Sequence, residues 1–185
     1  MNKKILILLL ALVAVHSMSL SHMTAQEPLP QPTLTVSEGW GADAPATPFT
    51  QLTRFPEFLE VRAVVVTVGT YGWAWGFQPS YGTSDGKIFY KAPKCGVTVA
   101  GTDSTFVVPV GEYIKEVKYT RVNRYGYYGE SLEFVTDKGT RKHFGASNGD
   151  KSHSFIVPNG HRLVGFKGNS GQFLDYLQII TSPRY

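Results

Sequence analysis

Beyond residue 32 the chain alternates short apolar stretches with clusters of glycine, proline, asparagine and aspartate. Nowhere in that region do apolar positions recur at helical spacing for more than a couple of turns. Short runs rich in valine, threonine, tyrosine and phenylalanine suit a pleated, half-buried surface. The pattern predicts strands over 34–37, 59–68, 75–81, 87–90, 104–108, 114–121, 131–136, 141–145, 152–157, 163–167 and 175–181. Turns are marked by Asp85-Gly86, Asp137-Lys138-Gly139, Asn148-Gly149 and Pro158-Asn159-Gly160, where small or locally hydrogen-bonding residues accept turn geometry. Arg62 interrupts the apolar run ahead of Val64-Val65-Val66 and reads as a strand end or an outward-facing position. The expectation is an all-β fold, and strand spacing alone leaves sandwich, barrel and prism open. No internal repeat is visible.

The first residues follow a different pattern. Lys3-Lys4 precede an apolar run over 5–15, and small and polar residues follow. This is the layout of a secretory signal peptide, too short to span a bilayer. It predicts a leader over 1–25, with cleavage after Ser17, Ser21 or Ala25, and a secreted or extracellular product, by way of the periplasm if the source is bacterial. Residues 26–32 carry three prolines and read as an extended tether.

Charge narrows the partners. Losing residues 1–25 removes Lys3 and Lys4 and no acid, so the formal net charge of +4 falls to +2. That is too mild for a nucleic-acid binder, which concentrates its basic residues. The lone Cys95 excludes an internal disulfide framework and reads as a small buried apolar residue. His143, His153 and His161 lack metal-ligand spacing, so no metal or cofactor is expected. Gly145-Ala146-Ser147-Asn148-Gly149 has the spacing of a nucleophile elbow, but that motif needs a following helix, and another strand is predicted there. Gly69, Gly72 and Gly76, set among Tyr71, Trp73 and Trp75, read as a hairpin turn with the tryptophans packing in the core or at its end.

The richest segment is 163–180, where Gly171 and Asp175 bound a Gly-x-x-x-Asp turn between apolar strands. Glycine can take positive φ and lets a ligand approach the backbone. A carboxylate accepts several hydroxyl protons at once, as a sugar demands when its water is displaced. In order along the chain, Glu38 to Gly41 (EGWG), Trp75 to Gly82 (WGFQPSYG), Val110 to Val117 (VGEYIKEV), Ser131 to Gly139 (SLEFVTDKG), His143 to Gly145 (HFG) and Leu163 to Asp175 (LVGFKGNSGQFLD) resemble the jacalin-related lectins. The zymogen granule lectin-like members are among the most similar in style.

The resemblance spans 33–182 and implies a β-prism I of three four-stranded Greek-key sheets with pseudo-threefold symmetry. It also implies a non-enzymatic protein whose partners are glycans or glycoproteins, with no membrane span after leader removal, and compatible with homo-oligomers. Carried onto this chain, the sugar site comprises Gly41, Gly171, Gln172, Phe173 and Asp175. Backbone N–H groups of Gln172 and Phe173 donate to the sugar, and the Asp175 carboxylate accepts. Among Tyr125, Tyr127 and Tyr128, Tyr127 is taken as the flanking aromatic residue. One departure stands out: after Trp40-Gly41 the family's glycine run is replaced by Ala42-Asp43-Ala44-Pro45, and proline has no N–H to give. An adhesion or assembly module that has lost sugar binding is therefore the alternative. So is an anionic-polysaccharide binder using Lys115, Lys118, Arg121 and Arg141, residues that equally read as edge lysines and arginines discouraging aggregation.

Overall fold

The computed structural model describes residues 32–41, 46–96, 101–122, 128–146, 151–171 and 173–184. The expected leader and most of the tether lie outside them, as do Ala42 to Pro45, Tyr127 and Gln172. Every regular element among the described residues is a strand: β1 (Thr35–Val36), β2 (Trp40–Gly41), β3 (Thr47–Leu52), β4 (Glu60–Val68), β5 (Ala74–Gly82), β6 (Ile88–Lys91), β7 (Cys95–Gly96), β8 (Thr102–Val107), β9 (Ile114–Val122), β10 (Tyr128–Thr136), β11 (Arg141–Gly145), β12 (Lys151–Ile156), β13 (His161–Ser170) and β14 (Leu174–Pro183). No helix among them is long and apolar enough to cross a membrane.

The strands form three antiparallel sheets: β1-β14-β13-β3, β11-β10-β9-β12 and β6-β5-β4-β8. Two of these carry a short fifth strand, β2 against β14 and β7 against β5. Each sheet is built on a long central hairpin, and each hairpin is flanked near its tip by a positive-φ glycine: Gly41 (φ 140), Gly96 (φ 84) and Gly145 (φ 95). This is the threefold repeat that the sequence hides. What recurs is a backbone conformation and a pairing position, which side-chain identity does not record.

Alternating side chains from all three sheets converge on one core. Phe77 of β5 meets Phe166 of β13 edge-on at 5.0 Å, and Phe134 of β10 meets the same ring at 6.5 Å. Val64, Val66, Val117, Leu132, Leu177 and Ile179 fill the space around them. Each buried aliphatic or aromatic side chain contributes about 1.5–3 kcal/mol relative to exposure. β3 escapes the apolar pattern because its burial reads exposed or partial at all positions except Gln51, and it is fixed instead by pairing with β13.

Arg62 reverses the sequence expectation: it is 1% exposed, one of the largest fully buried side chains. The cause is a β-bulge between Val61 and Ala63 that shifts the register and turns Arg62 inward. Its guanidinium donates to the carbonyls of Val108, Pro109 and Glu112 at 3.0, 2.8 and 2.6 Å and to Glu60 Oε1 at 3.1 Å. Glu60 in turn pairs with Arg184. Cys95 is buried as expected, and burial pushes its thiol up to about 12.

Candidate carbohydrate site

β13 ends at Ser170 and β14 begins at Leu174, so Gly171 and Phe173 lie in the hairpin tip and Asp175 lies inside a strand. Asp175 is 7% exposed, not a side chain on an open loop. Gly171 N–H donates to Asp175 Oδ2 at 2.9 Å and to Phe173 O at 3.0 Å, which closes the turn and aims the carboxylate. Gly171 does not use positive φ. A Cβ there would stand 3.4 Å from Asp175 Oδ2, an ordinary contact. Burial raises the Asp175 carboxyl above its ordinary range, and the Gly171 N–H offsets only part of the shift.

Gly41 completes the site from the other side. It pairs with Tyr176, and a Cβ on it would lie 2.2 Å from Asp175 O. Only glycine lets β2 press this closely on β14. Beneath the site, Tyr119 is fully buried and its hydroxyl donates to Leu174 O. Burial and the neighbouring Asp175 carboxylate push the Tyr119 phenol up, so it stays a donor. Trp40, next to Gly41, stacks with His153 at 5.9 Å and meets Tyr119 edge-on at 5.4 Å. The structure thus brings Gly41, Gly171, Phe173 and Asp175 together. Gln172 and Tyr127 lie outside the described residues.

The four basic residues are not gathered into one patch. Val117 and Tyr119 are buried, and Arg121, alternating with them on β9, reaches the prism end, where its guanidinium lies 4.9 Å from the Trp40 ring centroid. Lys118 takes the opposite face, directly across from Glu133, and both line a cavity of about 200 Å³ with Thr120, Ser131 and His143. Arg141 and Lys115 are exposed toward the other end of that sheet.

Sequence reasoning set aside the residues of the β4–β5 hairpin. Trp73 and Trp75 meet Phe173 edge-on at 5.5 and 6.0 Å, so the hairpin adjoins the β13–β14 tip. The available signal was the aromatic and glycine alternation over 69–76. Of the elbow-like segment, Ser147 to Gly149 lie outside the described residues; among the described ones Gly145 ends β11 and the next element is β12, also a strand. Among the described residues no group of His, Cys, Asp and Glu could hold a metal.

Comparison with known proteins agrees with this arrangement. The Jacalin-like lectin domain matches residues 37–180. The agglutinin alpha chain of Maclura pomifera is 38% identical over 79 residues, 43% of this chain and about half (53%) of that one. Horcolin of Hordeum vulgare is 28% identical over 127 residues, 66% of this chain and 84% of the relative. A mannose-binding jacalin-related lectin from Ananas comosus superposes with a TM-score of 0.62 at 24% identity, over 81% of this chain and 98% of that one. The chain belongs to the jacalin-like lectin family, with the β-prism I fold. It is a carbohydrate-binding protein and not an enzyme.

Proposed function

We propose that this protein is a secreted lectin that holds the terminal residue of a glycan at the β13–β14 hairpin. The observation that carries this reading is the Asp175 carboxylate, aimed by Gly171 N–H and closed in by Gly41. Asp175 accepts two sugar hydroxyls, while the backbone of Gln172 and Phe173 donates. Catalysis and metal play no part. The mannose binding of the Ananas comosus relative makes mannose one of two sugars to try first, with galactose beside it.

The raised carboxyl of Asp175 sets a pH signature. Sugar hydroxyls bind the ionised form, so affinity is full above the raised pKa and is lost as pH falls through it. The loss begins above the ordinary aspartate value of about 3.9. The protein's own stability runs the other way. A group easier to protonate when folded favours the fold at low pH, and that contribution fades as pH rises through the raised value. Calorimetric titration from pH 7 to 4 is expected to show falling affinity, and Asp175→Asn is expected to flatten the profile. A wild-type profile that stays level down to pH 4 would count against Asp175 as the acceptor.

Secretion rests on the Lys3-Lys4 start and the apolar run over 5–15. Expressed with its own N-terminus in a secreting host, the protein is expected in the medium or periplasm at a mass lacking 17 to 25 residues. A cytosolic product that retains Met1 would refute export.

A further inference from the structure

The close glycine approach seen at the Asp175 site recurs in the second sheet. A Cβ on Gly41 would lie 2.2 Å from Asp175 O, and one on Gly96 would lie 2.1 Å from Trp75 O. Both glycines pair with the next residue of the hairpin strand, Tyr176 and Gly76 respectively. Trp75 therefore stands in the second sheet where Asp175 stands in the first. An indole is a donor only and accepts no hydroxyl proton, so this hairpin has ring surface in place of the hydrogen-bonding carboxylate.

That surface runs on from the sugar loop. Phe173 meets Trp73 at 5.5 Å, and Trp73 meets Tyr71 at 5.7 Å. Tyr71 is 73% exposed, the most exposed of the large apolar side chains among the described residues. The turn presenting it is held firmly. Gly69 N–H donates to Trp73 O and Gly72 N–H to Gly69 O, each at 2.9 Å, and Gly72 takes φ 77. Gly69 itself lies on the Trp75 indole, where a Cβ would come within 2.0 Å of the ring. A rigid, exposed ring loses little conformational entropy on binding, and its flat face suits the apolar side of a pyranose while its hydroxyl can hydrogen-bond.

We propose that Tyr71 and Trp73 form a stacking wall for the second ring of a glycan whose terminal residue sits at Asp175. The protein thereby selects oligosaccharides over monosaccharides, an inference that rests on the Asp175 site proposed above.

The test titrates methyl α-mannoside against mannobiose, and methyl α-galactoside against galactobiose, into wild type, Tyr71→Ala and Tyr71→Phe. In one series the disaccharide is expected to bind about tenfold more tightly than the monosaccharide, a gain of about 1.4 kcal/mol. Tyr71→Ala should erase that gain and leave monosaccharide affinity unchanged, and Tyr71→Phe should keep most of it. Tyr71 is exposed, so its truncation leaves the core intact, and a thermal melt checks this. Equal affinity for mono- and disaccharide in both series overturns the wall alone. A disaccharide gain that survives Tyr71→Ala does the same. Failure of all four ligands to bind wild type overturns the wall together with the Asp175 site.

Discussion

Asp175→Ala is expected to lower sugar affinity tenfold or more while the protein stays folded. A hydrogen bond to a charged group contributes about 1.5–3 kcal/mol, and tenfold in affinity is about 1.4 kcal/mol, so losing even one such bond reaches the threshold. Burial of Asp175 at 7% exposure raises the question of collateral damage. The geometry answers it: Gly171 N–H keeps its second acceptor, Phe173 O, at 3.0 Å. The variant also sheds a carboxylate that burial disfavours, which offsets lost packing. Asp175→Asn is the sharper probe, since one oxygen remains for Gly171 while the other becomes a donor facing sugar hydroxyls. Isothermal titration with melts of each variant gives the result. Wild-type affinity in a folded Asp175→Ala protein would falsify the proposed site.

Much of this site was legible because its parts are close in sequence. Gly171, Phe173 and Asp175 share one hairpin, and a five-residue spacing is visible without knowing the fold. The partnership with Gly41 follows from the family resemblance alone, because it forms across the sheet between β2 and β14. The strand predictions held where side chains alternate, as in β9 and β10, and failed for β2, β3 and β7. Those strands are short or largely exposed, and their positions come from pairing with a neighbour. The positive φ expected at Gly171 appears instead at Gly41, Gly96 and Gly145, because a backbone dihedral is not written in residue identity when glycine serves both turns and close approaches. The aromatic hairpin over 69–76 looked like ordinary packing, since nothing in a linear reading says that Trp73 and Trp75 reach Phe173, about 100 residues away.

Arg62 was misread for a related reason, and its substitution carries the largest stability effect expected here. A charge within an apolar run suggests solvent, but the bulge at Val61 and Ala63 sends this guanidinium inward to bond three carbonyls and Glu60. The carbonyls come from the turn before β9 and cap an end of the prism that would otherwise bury unpaired acceptors. Arg62→Met keeps length and apolar bulk but removes every one of those donors and leaves Glu60 with Arg184 as its remaining cation. Breaking a buried pair from one side costs about 3–5 kcal/mol. For a chain of this size that lowers the melting temperature on the order of 10 °C. β4 runs from Glu60 to Val68, and its far end leads into the aromatic hairpin beside the sugar loop, so Arg62 and Asp175 lie at opposite ends of the prism. Sugar affinity in folded Arg62→Met is therefore expected to match wild type. Urea unfolding with an unchanged slope and a loss below about 1 kcal/mol would show that the buried network does not hold this end together.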